Sequence, residues 1–199
     1  MIWDQVSPVY DAFEMLLNYR VYSNTGKAVA EEIEADDIVL ECACGTGAIS
    51  QHIAPKCRML IATDLSEGML RQAYEKCSGF GNMKIRRADL MHLKCKDARF
   101  DKVVAGNVIH LLDEPENAIR ELLRVCKPGG EVILPTYIRD DRAIQKTTFA
   151  LLEKIGVHFN HEFDLQSYKQ FFLDAGYPGT DFRVVEGFMP CAIAVITKE

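Results

Sequence analysis

The chain has 199 residues, with 23 Lys and Arg against 29 Asp and Glu, a formal net charge of -6, and 48% apolar residues. That balance excludes wholesale disorder, and the surplus of acid disfavours non-specific nucleic-acid binding, which runs on Lys and Arg. No run of about 18 apolar residues is present, so no membrane-spanning helix is predicted.

At this length one domain is expected, residues 1–199, with a core that needs no disulfide. The start, Met1-Ile2-Trp3-Asp4, has neither a basic nor an apolar stretch, so no signal peptide is expected. Ser7-Pro8 predicts a helix start, Ser as cap and Pro in the first position, with Val9, Tyr10, Phe13, Leu16 and Leu17 on one face. A second helix is predicted over 27–34, completing an N-terminal helical cap over 1–36. Ile38 to Cys42 is a short apolar run ending in glycines, a buried strand. A helix over 48–54 stops at Pro55, and 59–63 forms the next strand. Ser66 caps a helix whose inner face carries Met69, Leu70, Ala73 and Cys77. Strands follow at 83–87 and 100–105. A helix from Pro115 to Cys126 ends at Pro128-Gly129-Gly130, and 131–134 is a fifth strand, closing a core that spans 37–137.

Short apolar strands alternating with helices mean a parallel sheet covered on both faces. Past Pro135 the rhythm changes. Helices are predicted over 142–155 and 165–175, then two strands at 182–186 and 192–197 whose short link permits only antiparallel pairing. The expected fold is α/β: Rossmann-like and doubly wound, with a mostly parallel seven-stranded sheet, an antiparallel C-terminal edge, and helices on both faces.

Seven cysteines, an odd number without a C-x-x-C pair, read as free thiols in a reducing cytoplasm, packed as small hydrophobes. Cys42 and Cys44 would share a face if the first strand continued through them. Partners at zinc spacing are missing, so no metal is expected.

The informative stretch is Glu41-Cys42-Ala43-Cys44-Gly45-Thr46-Gly47, between the first strand and a helix. Small residues at Ala43, Gly45 and Gly47 permit a sharp turn and close approach to a ligand. The G-x-G-x-x-G dinucleotide spacing and the P-loop Lys are both missing. The carboxylate of Glu41 would repel a pyrophosphate and attract an ammonium or sulfonium group. Asp64, 23 residues further on, ends the second strand, where a carboxylate can accept both hydroxyls of a ribose. A helix-capping role is the alternative for Asp64, although Ser66 is the better cap.

The glycine loop resembles the first motif of class I S-adenosylmethionine (SAM) methyltransferases, whose commonest form has Asp at position 41 and Gly at position 43. The later motifs follow in the family's order: Asp64-Leu65-Ser66 after the second strand, Ala88-Asp89-Leu90 after the third, Gly106-Asn107-Val108-Ile109-His110 after the fourth, and Leu122 to Gly130 before the fifth. The resemblance implies that Glu41, Ala43, Gly45, Gly47, Asp64, Leu65, Asp89, Leu90 and Asn107 surround SAM. Asp89 and the next backbone N–H would meet the adenine, and Asn107 would lie near the sulfonium. His110 would face the substrate and is the candidate general base; a structural role is its alternative. Trp3 to Leu17, with Tyr10-Asp11, and the Ala43 form of the loop resemble the ubiquinone/menaquinone-type small-molecule methyltransferases. Candidate substrate contacts are Tyr10, which could instead be core, together with Tyr137 and His158.

The expected activity is SAM-dependent methyl transfer to a small molecule by in-line displacement, without nucleic acid or membrane span. A non-catalytic SAM-binding regulator and an NAD-dependent oxidoreductase are the alternatives.

Overall fold

The computed structural model describes residues 2–139 and 160–199; the side chains of residues 2, 5, 6 and 8–17 also lie outside that set. The helix predicted over 142–155, the His158 position and the Tyr10 side chain therefore fall outside the described residues.

The described strands form one seven-stranded sheet in the order β3-β2-β1-β4-β5-β7-β6. Parallel pairing joins β1 (Ile38–Cys42), β2 (Met59–Asp64), β3 (Met83–Arg87), β4 (Phe100–Ala105) and β5 (Cys126–Tyr137). β7 (Cys191–Thr197) lies antiparallel between β5 and β6 (Asp181–Val185). The short link 186–190 cannot cross the sheet, which forces that direction. The chain reverses its winding between β1 and β4, so the crevice beyond the carboxyl ends of these strands is the natural ligand site.

Alternate residues of each central strand enter two core layers. On one side Leu40, Cys42, Val103 and Val132 meet Ile119, Leu122 and Val125 of α4 (Pro115–Val125) and Tyr168 and Phe172 of α5 (Leu165–Asp174). On the other, Val39, Leu60 and Val104 meet Val29 of α1 (Ile2–Ala30), Ile53 of α2 (Ser50–Ile53) and Ala73 of α3 (Glu67–Cys77). Each fully buried aliphatic side chain contributes about 1.5–3 kcal/mol. Ser66 caps α3 as expected, accepting from the Met69 N–H at 3.1 Å.

Four expectations change. The first helix starts at Ile2, and Ser7 lies inside it. Pro8 lacks the N–H that would bond the Asp4 carbonyl four residues back; the Ser7 hydroxyl donates to that oxygen instead, at 3.2 Å. The separate helix expected from Lys27 is the end of this same α1, which breaks at Asn18 (φ -141°, ψ 30°). The Asn18 amide compensates for the break by donating to the Met189 carbonyl (2.9 Å) and accepting from the Met189 N–H (3.2 Å). β5 begins at Cys126, so Pro128-Gly129-Gly130 is drawn into the strand, where the register against β4 shifts between Phe100 and Lys102. A Cβ on Gly130 would come within 2.5 Å of the Asp101 carbonyl oxygen, so only glycine fits that bulge. Finally, Ala43 turns the chain over after β1, and Cys42 and Cys44 enter opposite core layers rather than sharing a face.

Candidate active site

The turn from β1 to α2 alternates left-handed and ordinary residues: Ala43 at φ +51°, Gly45 at +54°, Gly47 at +82°. A Cβ on Gly47 would meet Cys77 Sγ at 3.0 Å and Ala73 Cα at 3.3 Å, so glycine here lets α3 pack against the turn. The Cys44 N–H donates to the Thr63 carbonyl at 2.9 Å, holding the turn to the end of β2.

Three carboxylates stand at successive strand ends. Glu41 is 1% exposed, and its Oε2 accepts from the Ser50 hydroxyl at 2.5 Å. Burial pushes this carboxyl up to about 8; Ser50 opposes the rise and Asp64 adds to it. Asp64 accepts from the Ser66 N–H through one oxygen and from the Gly45 N–H through the other, each at 2.9 Å. Burial raises it too, against the pull of those N–H groups. Asp89 is exposed and accepts from the Met91 N–H at 2.9 Å. Past β4, Asn107 adopts φ +52° and binds β5 on both sides: its N–H donates to the Pro135 carbonyl (2.7 Å), and its Oδ1 accepts from the Tyr137 N–H (3.2 Å).

These elements enclose a cavity of about 310 Å³. Its walls include Glu41, Ala43, Gly45, Asp64 and Leu65, then Asp89, Leu90, Asn107 and Tyr137. Gly47 stands behind the turn against α3, outside the lining. His110 does not reach the wall either. It is 5% exposed in the short 3-10 turn Ile109–Leu111, and its carbonyl accepts from the His161 N–H at 3.0 Å. Burial pushes its imidazole down to about 4, and His161 pushes the same way. Among the described residues, no group of three or more His, Cys, Asp or Glu is placed to hold a metal ion.

At one corner of the cavity sequence reasoning places Tyr22 near the mouth but misses Thr25 and Lys76. Tyr22 and Thr25 of α1 line it together with Thr46 of the glycine turn. The Lys76 ammonium of α3 donates to Tyr22 Oη at 2.9 Å and to Thr46 Oγ1 at 3.2 Å. The i, i+3 spacing of Tyr22 and Thr25 was a usable signal, because it puts both on one helix face. Lys76, at the end of α3, carried none. Trp3 also lines the cavity, and its neighbour Asp4 ties α1 to the start of α3 by accepting from Ser66 Oγ (2.7 Å) and the Gly68 N–H (3.0 Å). Those bonds hold the Asp4 carboxyl well below the usual carboxylate range.

Residues 40–134 match the methyltransferase domain family. The chain is 34% identical over 139 residues to a demethylmenaquinone methyltransferase of Clavibacter sepedonicus, covering 67% of this chain and 55% of that protein. It is 34% identical over 152 residues to a malonyl-[acyl-carrier protein] O-methyltransferase of Marinomonas sp. (strain MWYL1), covering 71% and 56%. The chain thus spans little more than half the length of these relatives. Among solved structures, a SAM-dependent methyltransferase from Thermotoga maritima shares the fold with a TM-score of 0.75 at 18% identity, covering 100% of this chain and 99% of that one. Magnesium protoporphyrin IX methyltransferase from Synechocystis PCC 6803, with bound S-adenosylhomocysteine, superposes with a TM-score of 0.67 at 17% identity, covering 89% and 83%. The fold and the order of motifs around the cavity are those of a nucleoside-binding α/β enzyme. The chain belongs to the class I SAM-dependent methyltransferases.

Proposed function

We propose that this protein transfers a methyl group from SAM to a small-molecule acceptor. One observation carries the reading: the carboxylates of Glu41, Asp64 and Asp89, from three successive strand ends, border one cavity beside the topological switch point. Their order along the sheet suits the parts of the cofactor. Asp64, held between two backbone N–H groups, retains lone pairs for the ribose hydroxyls; Asp89 and Leu90 take the adenine end; Glu41, kept largely protonated near neutral pH by burial, lies at the sulfonium-bearing end, where the cation would draw off its proton. Bound SAM supplies a methyl carbon activated as an electrophile by its sulfonium.

The protein's own contribution is alignment and exclusion of water, worth up to about 7–11 kcal/mol in favourable cases. Val108, Leu111, Leu112 and Tyr137 form an apolar side of the cavity, suited to a flat or apolar acceptor. His110, pushed to about 4 and absent from the wall, is a poor general base at neutral pH, so we assign it to packing. Tyr137 is the substrate contact we retain; Tyr10 and His158 stay proposals outside the described residues. No helix among the described residues is long and apolar enough to cross a membrane. All seven cysteines are free, which supports a reducing cytoplasm.

Calorimetry with SAM, S-adenosylhomocysteine and NAD tests the site, and transfer of a tritiated methyl group into a metabolite extract tests the activity. We expect micromolar binding of the two sulfur nucleosides and label in a small organic product. Binding of NAD alone would overturn the reading; nucleoside binding with no label transferred to any extract would leave a SAM-binding regulator.

A further inference from the structure

The base end of the cavity is built on chain without regular structure. Asp89, Leu90 and Met91 line it, at the start of the connection 88–99 between β3 and β4, which carries no helix or strand. Backbone groups in such a connection need partners from elsewhere. Two side chains on one face of α4, Glu121 and Arg124, supply them. Glu121 Oε1 accepts from the Leu93 N–H at 2.7 Å. Arg124 donates to the Leu93 and Cys95 carbonyls, each at 3.0 Å, and to the Asp97 carboxylate. Its other N–H groups form a two-pronged pair with Glu121, at 2.7 Å and 2.8 Å. Every N–H of the guanidinium is thereby engaged. The Ala98 and Arg99 N–H groups then donate to the Arg124 and Val125 carbonyls, at 3.0 Å and 2.8 Å. Neither Glu121 nor Arg124 lines the cavity.

We propose that Glu121 and Arg124 are positioning residues for the nucleobase: by fixing the connection at Leu93 they set the place of the Asp89 carboxylate, and with it the preference for adenine over hypoxanthine. This rests on the reading of the cavity as a SAM site. The lining span is strung between two fixings. Before it, the Ala88 N–H donates to the Asp64 carbonyl at 3.1 Å; after it, Leu93 is held by α4. The bonds of Asp89 itself, from the Met91 N–H at 2.9 Å to its carboxylate and from the His92 N–H at 3.1 Å to its carbonyl, lie within its own turn. They do not hold that turn against the sheet. Adenine presents an amino group that a carboxylate accepts, whereas hypoxanthine presents an oxygen that it repels. Such discrimination depends on one hydrogen bond of correct length, so a shift of about 1 Å costs it first. The Arg124 guanidinium holds the Glu121 carboxyl below its ordinary value, so the clamp stays ionised at neutral pH.

The experiment compares dissociation constants of the intact chain for S-adenosylhomocysteine and S-inosylhomocysteine, which differ only in the base. Wild type should prefer the adenine compound by about tenfold or more. Arg124→Met should weaken that compound about tenfold, the scale of one lost hydrogen bond, and leave the hypoxanthine compound within about twofold. Arg124→Lys keeps the charge without the planar fork and should lose most of the preference as well. Glu121→Gln, which keeps an acceptor for the Leu93 N–H, should show a smaller loss of the same kind. Arg120→Met removes the same charge from an exposed position one turn earlier on α4, and should change neither constant. Thermal melts show which variants are folded, and Glu121→Gln carries the test if Arg124→Met is not. If Arg124→Met weakens both compounds equally, or neither, Arg124 serves the fold alone and the assignment fails. If wild type binds the two compounds alike, Asp89 does not read the base, and the assignment fails while the site stands. If wild type binds neither, the reading of the cavity itself falls.

Discussion

Asp64 accepts the Gly45 N–H at 2.9 Å, so the last residue of β2 holds the glycine turn that follows β1. The same carboxylate that faces the cavity therefore also shapes it. Asp64→Asn keeps one carbonyl acceptor but loses the charge and half of the paired geometry. We expect SAM affinity to fall at least about tenfold, with a stability loss of about 1–3 kcal/mol from the N–H left without a partner. Titration calorimetry and urea unfolding on the same preparation separate the two effects. Unchanged affinity would remove Asp64 from the binding site.

Glu41 predicts a decline of stability towards alkaline pH. Its ordinary value of 4.5 is pushed up to about 8 by burial, so the folded protein holds a proton that the unfolded chain releases over that interval. The stabilisation is complete below about 4.5 and is lost as pH rises through about 8. Asp64, also raised, adds to the same slope at its lower end. Glu41→Gln fixes the neutral form. We expect its unfolding free energy to stay flatter than wild type between pH 6 and pH 9 in urea titrations, with the Ser50 contact kept. SAM binding should also release a proton at neutral pH, seen as a dependence of the binding enthalpy on buffer ionisation.

His110 acts on the acid side with the opposite sign. Burial lowers it from 6.5 to about 4, so its contribution is present above about 6.5 and is lost as pH falls through about 4. His110→Asn should lose less stability than wild type between pH 7 and pH 4.5. Its turnover with an identified acceptor should stay within about threefold of wild type, because an imidazole titrating so low is a weak base at pH 7. A hundredfold loss of turnover in a stably folded variant would return His110 to the chemistry.

Gly68 sets the approach of α1. A Cβ there would stand 2.7 Å from Ser7 Oγ and 3.0 Å from Asp4 Cα, in the middle of the Asp4 contact with α3. Gly68→Ala should undo that contact and leave the sheet intact. Trp3 is the single tryptophan of the chain and lines the cavity, so its fluorescence reports the change directly. We expect a red-shifted emission, a melting temperature within a few degrees of wild type, and faster nucleoside dissociation. An unshifted emission would mean that α1 is held elsewhere.

Much of this architecture was legible from apolar runs. β1 and β4 have the bounds their sequences predict, because central strands of a parallel sheet are largely apolar and end abruptly at turn residues; the edge strand β3, Met-Lys-Ile-Arg-Arg, also keeps its expected bounds. The antiparallel edge was legible for a different reason, the shortness of its link. α1 was misread because Ser7-Pro8 carries a helix-start signal that a helix already under way has absorbed through the Ser7–Asp4 bond. β5 was misread because a proline and two glycines can form a bulge as well as a turn, and only the register against β4 decides which. The expected residues that line the cavity are those tied to a strand end, Asp64 and Asn107 among them. The residues missed, Thr25 on the wall and Lys76 behind Tyr22 and Thr46, come from helices whose placement depends on packing between distant segments, which no local spacing encodes.

The break in α1 at Asn18 is bolted to Met189, in the link that precedes β7. The segment carrying Trp3 thus pivots on a point that belongs to the opposite margin of the sheet. Lengthening or shortening that link by one residue would displace the pivot and misalign the cover over the nucleoside, although the change itself touches no wall of the pocket.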